Sequence, residues 1–372
     1  MWPAPARAQY PPAIPIRTRS PVSVTPVTTP SNDPSSEPRS AAPRADATAP
    51  AVGASVDLPG AVALLDAATT VTVLCHIQPD ADTLGSGLAL GLALERRGVA
   101  VQVAFAAPAE VPESMRSLPG GHLVTPAAAV RRDADLVVTV DCGTAGRLGD
   151  LRDRLTGAAR TLVIDHHVSN TRFGTDNLIV PDAEATAVVL ADLFDEWGVV
   201  LDADLAHCLY AGLVTDTGSF RWGRPASHLL AARLLATGID GSAITRGLLD
   251  THPFGWLPML SSVLASATLV PEAVRGRGLV YAFVRRADSA HLGSEEVESV
   301  IDIVRTTAEA EVAAVFKEVG TEVWTVSLRS KTVVDVSAAA TALGGGGHAF
   351  AAGYTAHGAP DSVVAALRGV LG

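Results

Sequence analysis

Val71–Gly98, VTVLCHIQPDADTLGSGLALGLALERRG, runs from a β-branched apolar stretch through a polar loop into a long apolar helical pattern. A continuous apolar run without alternation reads as a strand buried on both faces. His76, Asp80 and Asp82 stand where that strand should end. In an extended segment residues i and i+2 point the same way, so the carboxylates of Asp80 and Asp82 are aimed at one point in space. Like charges that close repel unless a cation or a proton holds them together. Whether this is a metal site depends on what the rest of the chain brings.

Working outward, the same alternation continues. TVTVLCH, VAVQVAF, ADLVVTVD and RTLVIDHH are strand-like, and LGSGLALGLALERRG and ATAVVLADLFDEWG are helical. The pattern predicts an α/β domain with a mostly parallel sheet covered by helices, with neither face left open. In such sheets ligands bind beyond the carboxyl ends of the strands. Three apolar runs end in acid or histidine there: VLCHIQPDAD, VVTVDCGT and LVIDHH. They supply His76, Asp80, Asp82, Asp141, Asp165, His166 and His167, and LVTDTGSF adds Asp216. Singly, each has a structural reading, as a helix N-cap or a hydrogen-bonded core histidine. Four segments converging on one sheet edge are not explained by capping. Carboxylates and imidazoles without cysteine suit a hard to borderline divalent ion, Mn²⁺ first, with Mg²⁺ or Co²⁺ as alternatives. Several aspartates exceed the needs of one ion, and two ions roughly 3.5 to 4 Å apart are a known solution for phosphoester hydrolysis.

The chain has 372 residues, 48% of them hydrophobic, enough for about two domains of the usual 100 to 200 residues. Residues 1–55 form a Pro, Ala, Ser and Thr tract with no sustained periodicity and no signal-peptide core, expected to be a disordered tail. Residues 56–251 are expected to form the α/β domain. Breakers in HPFGWLP suggest a linker over 252–275, and 276–372 read as a smaller mixed α/β domain. No apolar stretch approaches the roughly 20 residues of a membrane span. Three cysteines with no CxxC spacing indicate neither a disulfide framework nor a zinc knuckle, and a cytoplasmic location is expected. A net charge of −11 argues against a long nucleic-acid track, because that binding is carried by Lys and Arg on phosphates. Cys75 and Cys142 read as packing residues, and Ser86 has no independent base.

Near the C-terminus, the glycines of GGGGH, Gly344–His348, let backbone N–H groups approach a phosphate without Cβ obstruction.

The motifs HIQPDAD, VDCG, DHH and TDTGSF together resemble the DHH phosphoesterases, and LRSK and GGGGHAFAAG resemble their accessory DHHA1 domain. Most similar is the branch of oligoribonucleases that degrade nano-RNA and dephosphorylate 3'-phosphoadenosine 5'-phosphate (pAp). The resemblance implies one metal on His76, Asp80 and Asp141, and a second on Asp82, Asp141, His166 and Asp216, with Asp141 as the bridge. It implies that Asp165 orients a histidine and that His167 faces the substrate phosphate. Arg329, Ser330, Gly345, Gly346, Gly347 and His348 would hold substrate across a cleft between the domains, and a homodimer is common among relatives. A hydroxide bridging the two ions would attack phosphorus. The implied substrates are short RNA oligonucleotides and pAp; pApA or cyclic-di-AMP are the alternative substrates. A catalytically inactive nucleotide-binding sensor is the alternative of a different class.

Overall fold

The computed structural model describes residues 53–372. Residues 1–52 of the N-terminal tract therefore lie outside the described residues. Among the described residues, the first sheet contains β1 (Ala54–Ser55), β2 (Thr70–Leu74), β3 (Ala100–Ala104), β4 (Leu136–Val140), β5 (Arg160–Asp165) and β6 (Asp176–Ile179). Its order is β1-β6-β5-β4-β2-β3, and every pairing is parallel. The two residues of β1 fall inside the stretch read as tail, and they are recruited by pairing with Asp176 and Asn177 rather than by any apolar pattern of their own.

This order places the site. The chain leaves β2 towards β3 on one side and leaves β4 towards β5 on the other, so the adjacent β2 and β4 flank a crevice at their carboxyl ends. His76 follows β2 and Asp141 follows β4. At the opposite end, Asp135 pins the two strands in register. Its carboxylate accepts from Thr69 N at 3.0 Å, Thr69 Oγ1 at 2.6 Å and Thr70 N at 2.9 Å, and these bonds hold its pKa down at about 2.

Four helices supply the core on one face of this sheet: α1 (Leu58–Ala67), α2 (Ala81–Arg96), α3 (Thr186–Glu196) and α4 (Ala203–Asp216). Leu65, Leu84, Leu88, Phe194 and Leu209 pack there with Leu136, Val138 and Val140. α2 is buried from Ala81 to Leu94, which explains its nearly unbroken apolar sequence. The expected cover on the second face is present, but short turns supply most of it. On the other face Leu74 and Val137 are covered by Leu148 and Leu151 from 3-10 turns within Ala145–Asp153. That segment, AGRLGDLRD, has too few apolar residues to build a long amphipathic helix. Two further helices, α5 (Pro225–Leu235) and α6 (Gly241–Leu249), follow.

Residues 252–275 are more regular than their sequence suggests. They contain α7 (Trp256–Ala265) and β7 (Thr268–Val270). Pro258 lies in the first turn of α7, where a missing N–H is tolerated, and only Met259 and Val263 of the helix are buried, so the period is faint. β7 joins a second sheet with β8 (Leu279–Val284), β9 (Val312–Gly320), β10 (Val323–Ser330), β11 (Gly346–His348) and β12 (Ala351–His357). Its order is β11-β12-β10-β9-β8-β7, antiparallel except for β8 with β9. One face packs α7 and α8 (Ser294–Val304) through Met259, Val263, Val300 and Ile301. The other packs α9 (Val336–Ala342) and α10 (Pro360–Leu371) through Val336, Ala340 and Leu367 against Phe316, Val326 and Leu328. Among the described residues no helix is long and apolar enough to cross a membrane.

Candidate metal centre

Asp80 combines two readings in one side chain. Its Oδ1 caps α2, accepting from Asp82 N at 3.1 Å and Thr83 N at 3.0 Å, while Oδ2 lies 3.5 Å from His76 Nε2. Asp82, the second residue of α2, is fully buried and reaches α3. Because a helix starts here, the carboxylates of Asp80 and Asp82 do not share one direction as an extended segment would have required, and they join different donor groups. Ala185, at the N-cap of α3, has no side chain to cap it. Asp82 does so from a distance, Oδ2 accepting from Thr186 N at 2.6 Å and Oδ1 from Ala187 N at 2.9 Å. This approach requires Gly212 on α4, where a Cβ would sit 2.4 Å from Asp82 Oδ1.

Asp141 is the hub. It takes a left-handed φ of 56°, a conformation that a side chain disfavours and that recurs at functional sites. Its Oδ2 lies 3.5 Å from His76 Nε2, and its Oδ1 lies 3.4 Å from His166 Nε2 and accepts from Thr186 Oγ1 at 3.0 Å. His166 Nε2 is also 3.4 Å from Asp216 Oδ2, at the end of α4. Two donors each about 2.1 Å from a common cation are about 3.0 to 3.4 Å apart in octahedral or tetrahedral arrangements. Spacings of 3.4 and 3.5 Å are near that range and long for direct charge-assisted hydrogen bonds. Donor atoms within 4.8 Å of one another group as His76, Asp80 and Asp141, as Asp82, His166 and Asp216, and as Asp141, Asp165, His166 and His167.

The imidazoles are oriented from behind. His76 Nδ1 lies 2.9 Å from Ile77 O, and His166 Nδ1 lies 3.1 Å from Ala183 O. Donation from Nδ1 to each carbonyl leaves the Nε2 lone pair towards the carboxylates, as metal ligation requires. Arg147, whose Nη2 lies 3.1 Å from His76 Nδ1 and can only donate, competes with the Ile77 carbonyl for that nitrogen, and its charge opposes protonation of the ring. Asp165 serves the other histidine. Its Oδ1 accepts from His167 Nδ1 at 2.6 Å and from His166 N at 2.8 Å, while Oδ2 accepts from Asn170 Nδ2 at 2.5 Å. The neighbouring rings diverge, with an interplanar angle of 69°.

The electrostatics are those of a site built for cations. Burial, together with the charges of Asp216 and Asp141, raises Asp82 well above the usual carboxylate range. Burial also brings Asp216 up to about 6. Asp141 is held well below that range: burial opposes its charge, but His166 and His76 outweigh it. Burial works against the charged forms of His166 and His76 too, yet the surrounding carboxylates lift them to about 12 and about 10. Divalent ions bound here would supply the positive charge that so many buried carboxylates call for.

Sequence reading missed Thr186 and Asn170. Thr186 touches Asp82 and Asp141, and Asn170 ties Asp165 to Cys142 O, the latter at 3.1 Å. The only signal for either was position, at a helix start and five residues after Asp165.

The other expected residues lie on the second sheet. Arg329 Nη1 donates to Leu328 O at 3.0 Å, and burial lowers its pKa despite the nearby charges of Asp302 and Glu298. Ser330 Oγ donates to Glu311 Oε1 at 3.0 Å, so its hydroxyl has a local partner. Gly346 and Gly347 belong to β11, and Gly345 precedes it. Of His348 the backbone is placed, and its side chain lies outside the described residues. The register sets both His348 and Arg329 opposite Ala351, in one row of the sheet.

A buried cluster of this donor chemistry at a switch point is the setting of a metal-dependent phosphoesterase, and the comparisons agree. Residues 70–213 match the DHH family, N-terminal domain, and residues 276–370 match the DHHA1 domain. The chain belongs to the DHH family. It is 29% identical over 290 residues to the bifunctional oligoribonuclease and PAP phosphatase NrnA of Thermus thermophilus, covering 77% of this chain and 84% of that one. It is 24% identical over 224 residues to the probable bifunctional oligoribonuclease and PAP phosphatase NrnA of Streptococcus mutans, covering 60% of this chain and 70% of that one. The crystal structure of an exopolyphosphatase-related protein from Bacteroides fragilis shares the fold, with a TM-score of 0.76 at 21% identity over 84% of this chain and 95% of that one.

Proposed function

We propose that this phosphoesterase hydrolyses short oligoribonucleotides to mononucleotides and pAp to AMP and phosphate, using two divalent ions, Mn²⁺ first. The observation that carries the two-ion reading is that the oxygens of Asp141 face different donor groups, Oδ2 towards His76 and Oδ1 towards His166. His76, Asp80 and Asp141 would hold one ion, and Asp82, Asp141, His166 and Asp216 the other. Ions held there supply a water of lowered pKa and offset charge on the phosphoryl oxygens.

The remaining work belongs to the protein. His167 is fixed by Asp165 through Nδ1, so its ring is oriented to hold or deliver a proton at the departing ribose oxygen through Nε2. Arg329 and His348, with the backbone of Gly345–Gly347, bind the substrate phosphate. The names of the Thermus and Streptococcus relatives support the substrate class. The test is release of AMP from pAp and of mononucleotides from RNAs of two to five residues, with Mn²⁺. A purified chain that binds these nucleotides without turnover would instead be a sensor. Faster turnover of pApA or cyclic-di-AMP than of pAp would reassign the main activity.

A further inference from the structure

The chain after Asp216 folds back on the residue it leaves. Gly218, Ser219 and Phe220 have φ of 55°, 57° and 64°, and two of them are not glycine. The resulting loop brings Trp222 Nε1 to 2.6 Å from Asp216 O, satisfying a carbonyl that the end of α4 would otherwise leave without a helical partner. The Trp222 ring lies against Gly218, where a Cβ would fall 2.2 Å from it. The guanidinium carbon of Arg305 lies 5.1 Å from the ring centroid.

Arg305 comes from the other part of the molecule. It follows α8, inside the stretch that matches the DHHA1 domain, and its Nε donates to Asp302 Oδ1 at 2.7 Å. The opposite end of α8 is tied to the first part as well, because Glu295 accepts from Ser114 N and from Ser114 Oγ. Arg305 is thereby held over Trp222 by a helix anchored at both ends.

We propose that Trp222, braced by Arg305, is a positioning residue for Asp216, so that the C-terminal region contributes to metal affinity at the N-terminal site. This rests on the reading of Asp216 as a metal ligand. Trp222 does not touch the ion or the substrate; it fixes the peptide from which the Asp216 carboxylate projects. Fixing a ligand's support typically matters by about 10 to 100-fold in metal affinity or activity.

The test uses the full chain and calorimetric titration with Mn²⁺, alongside kcat at limiting and saturating Mn²⁺ and the thermal midpoint. Trp222→Phe keeps the ring between Gly218 and Arg305 and removes only the N–H. It should weaken Mn²⁺ binding about 10-fold, and excess Mn²⁺ should restore its kcat. Arg305→Gln should weaken binding less. The double variant Trp222→Ala, Arg305→Gln should be no worse than Trp222→Ala, since Arg305 acts through the ring. Wild-type Mn²⁺ affinity in both Trp222→Phe and Arg305→Gln would overturn the proposal, as would multiplied losses in the double variant. Asp216→Asn separates this from the underlying reading: if it binds Mn²⁺ as wild type does, Asp216 is not a ligand and the metal assignment itself has failed.

Discussion

The two residue sets proposed for catalysis are held in opposite ways. Around the first sheet, Asp82, Asp141, Asp165 and His166 are buried; the start of α3 holds Asp82 and Asp141, the carbonyl of Ala183 orients His166, and the loop after β5 holds Asp165. On the second sheet, Arg329 and Ser330 bond to partners within their own sheet or its edge, and the glycines that precede His348 are largely exposed. Chemistry that depends on ångström-scale placement of charge needs the first kind of support. Holding a variable substrate by its phosphate tolerates the second. The contrast implies that damage to the first set removes turnover, and damage to the second weakens binding.

The largest effect should come from Asp141→Ala, which removes the carboxylate facing both donor groups. Turnover should fall by more than the roughly 100-fold that loss of a supporting residue produces. A variant with wild-type activity would end the two-ion proposal. Next in size, His167→Ala should lower kcat by about 10²- to 10⁴-fold, as loss of a proton donor does, with metal content unchanged. Asp165→Asn should follow with about a 10 to 100-fold loss. Loss of an ion in His167→Ala would make that residue a ligand. Arg329→Ala should mainly raise KM for pAp, leaving two ions in place; metal loss with normal substrate binding would erase the distinction between the two regions. Removing residues 1–50 should have the smallest effect, leaving kcat and the thermal midpoint nearly unchanged.

What the sequence made readable follows the same contrast. Metal-ligand candidates lie at or just after the ends of apolar runs, so strand geometry gathered His76, Asp141 and His166 at one edge, whereas Asp80 and Asp82 reach it from the start of α2. Thr186, which holds two of these candidates, was not readable, because its bonds join distant segments. Thr186 reaches Asp82 across 104 positions and Asp141 across 45. Trp222 and Arg305 meet only when both parts are folded. The helix α7 and strand β7 were read as a linker because each buries too narrow a stripe to print a period. Covering the first sheet with 3-10 turns left no period either.

The proposed bridge can be examined without any substrate. Electron paramagnetic resonance of the full chain titrated with Mn²⁺ reports both the number of ions and whether they share a ligand. The expected result is two Mn²⁺ per chain with an exchange-coupled spectrum, the coupling being lost in Asp141→Ala. A single ion at saturation, or two ions that remain magnetically independent in the wild type, would contradict the assignment of Asp141 as the bridge.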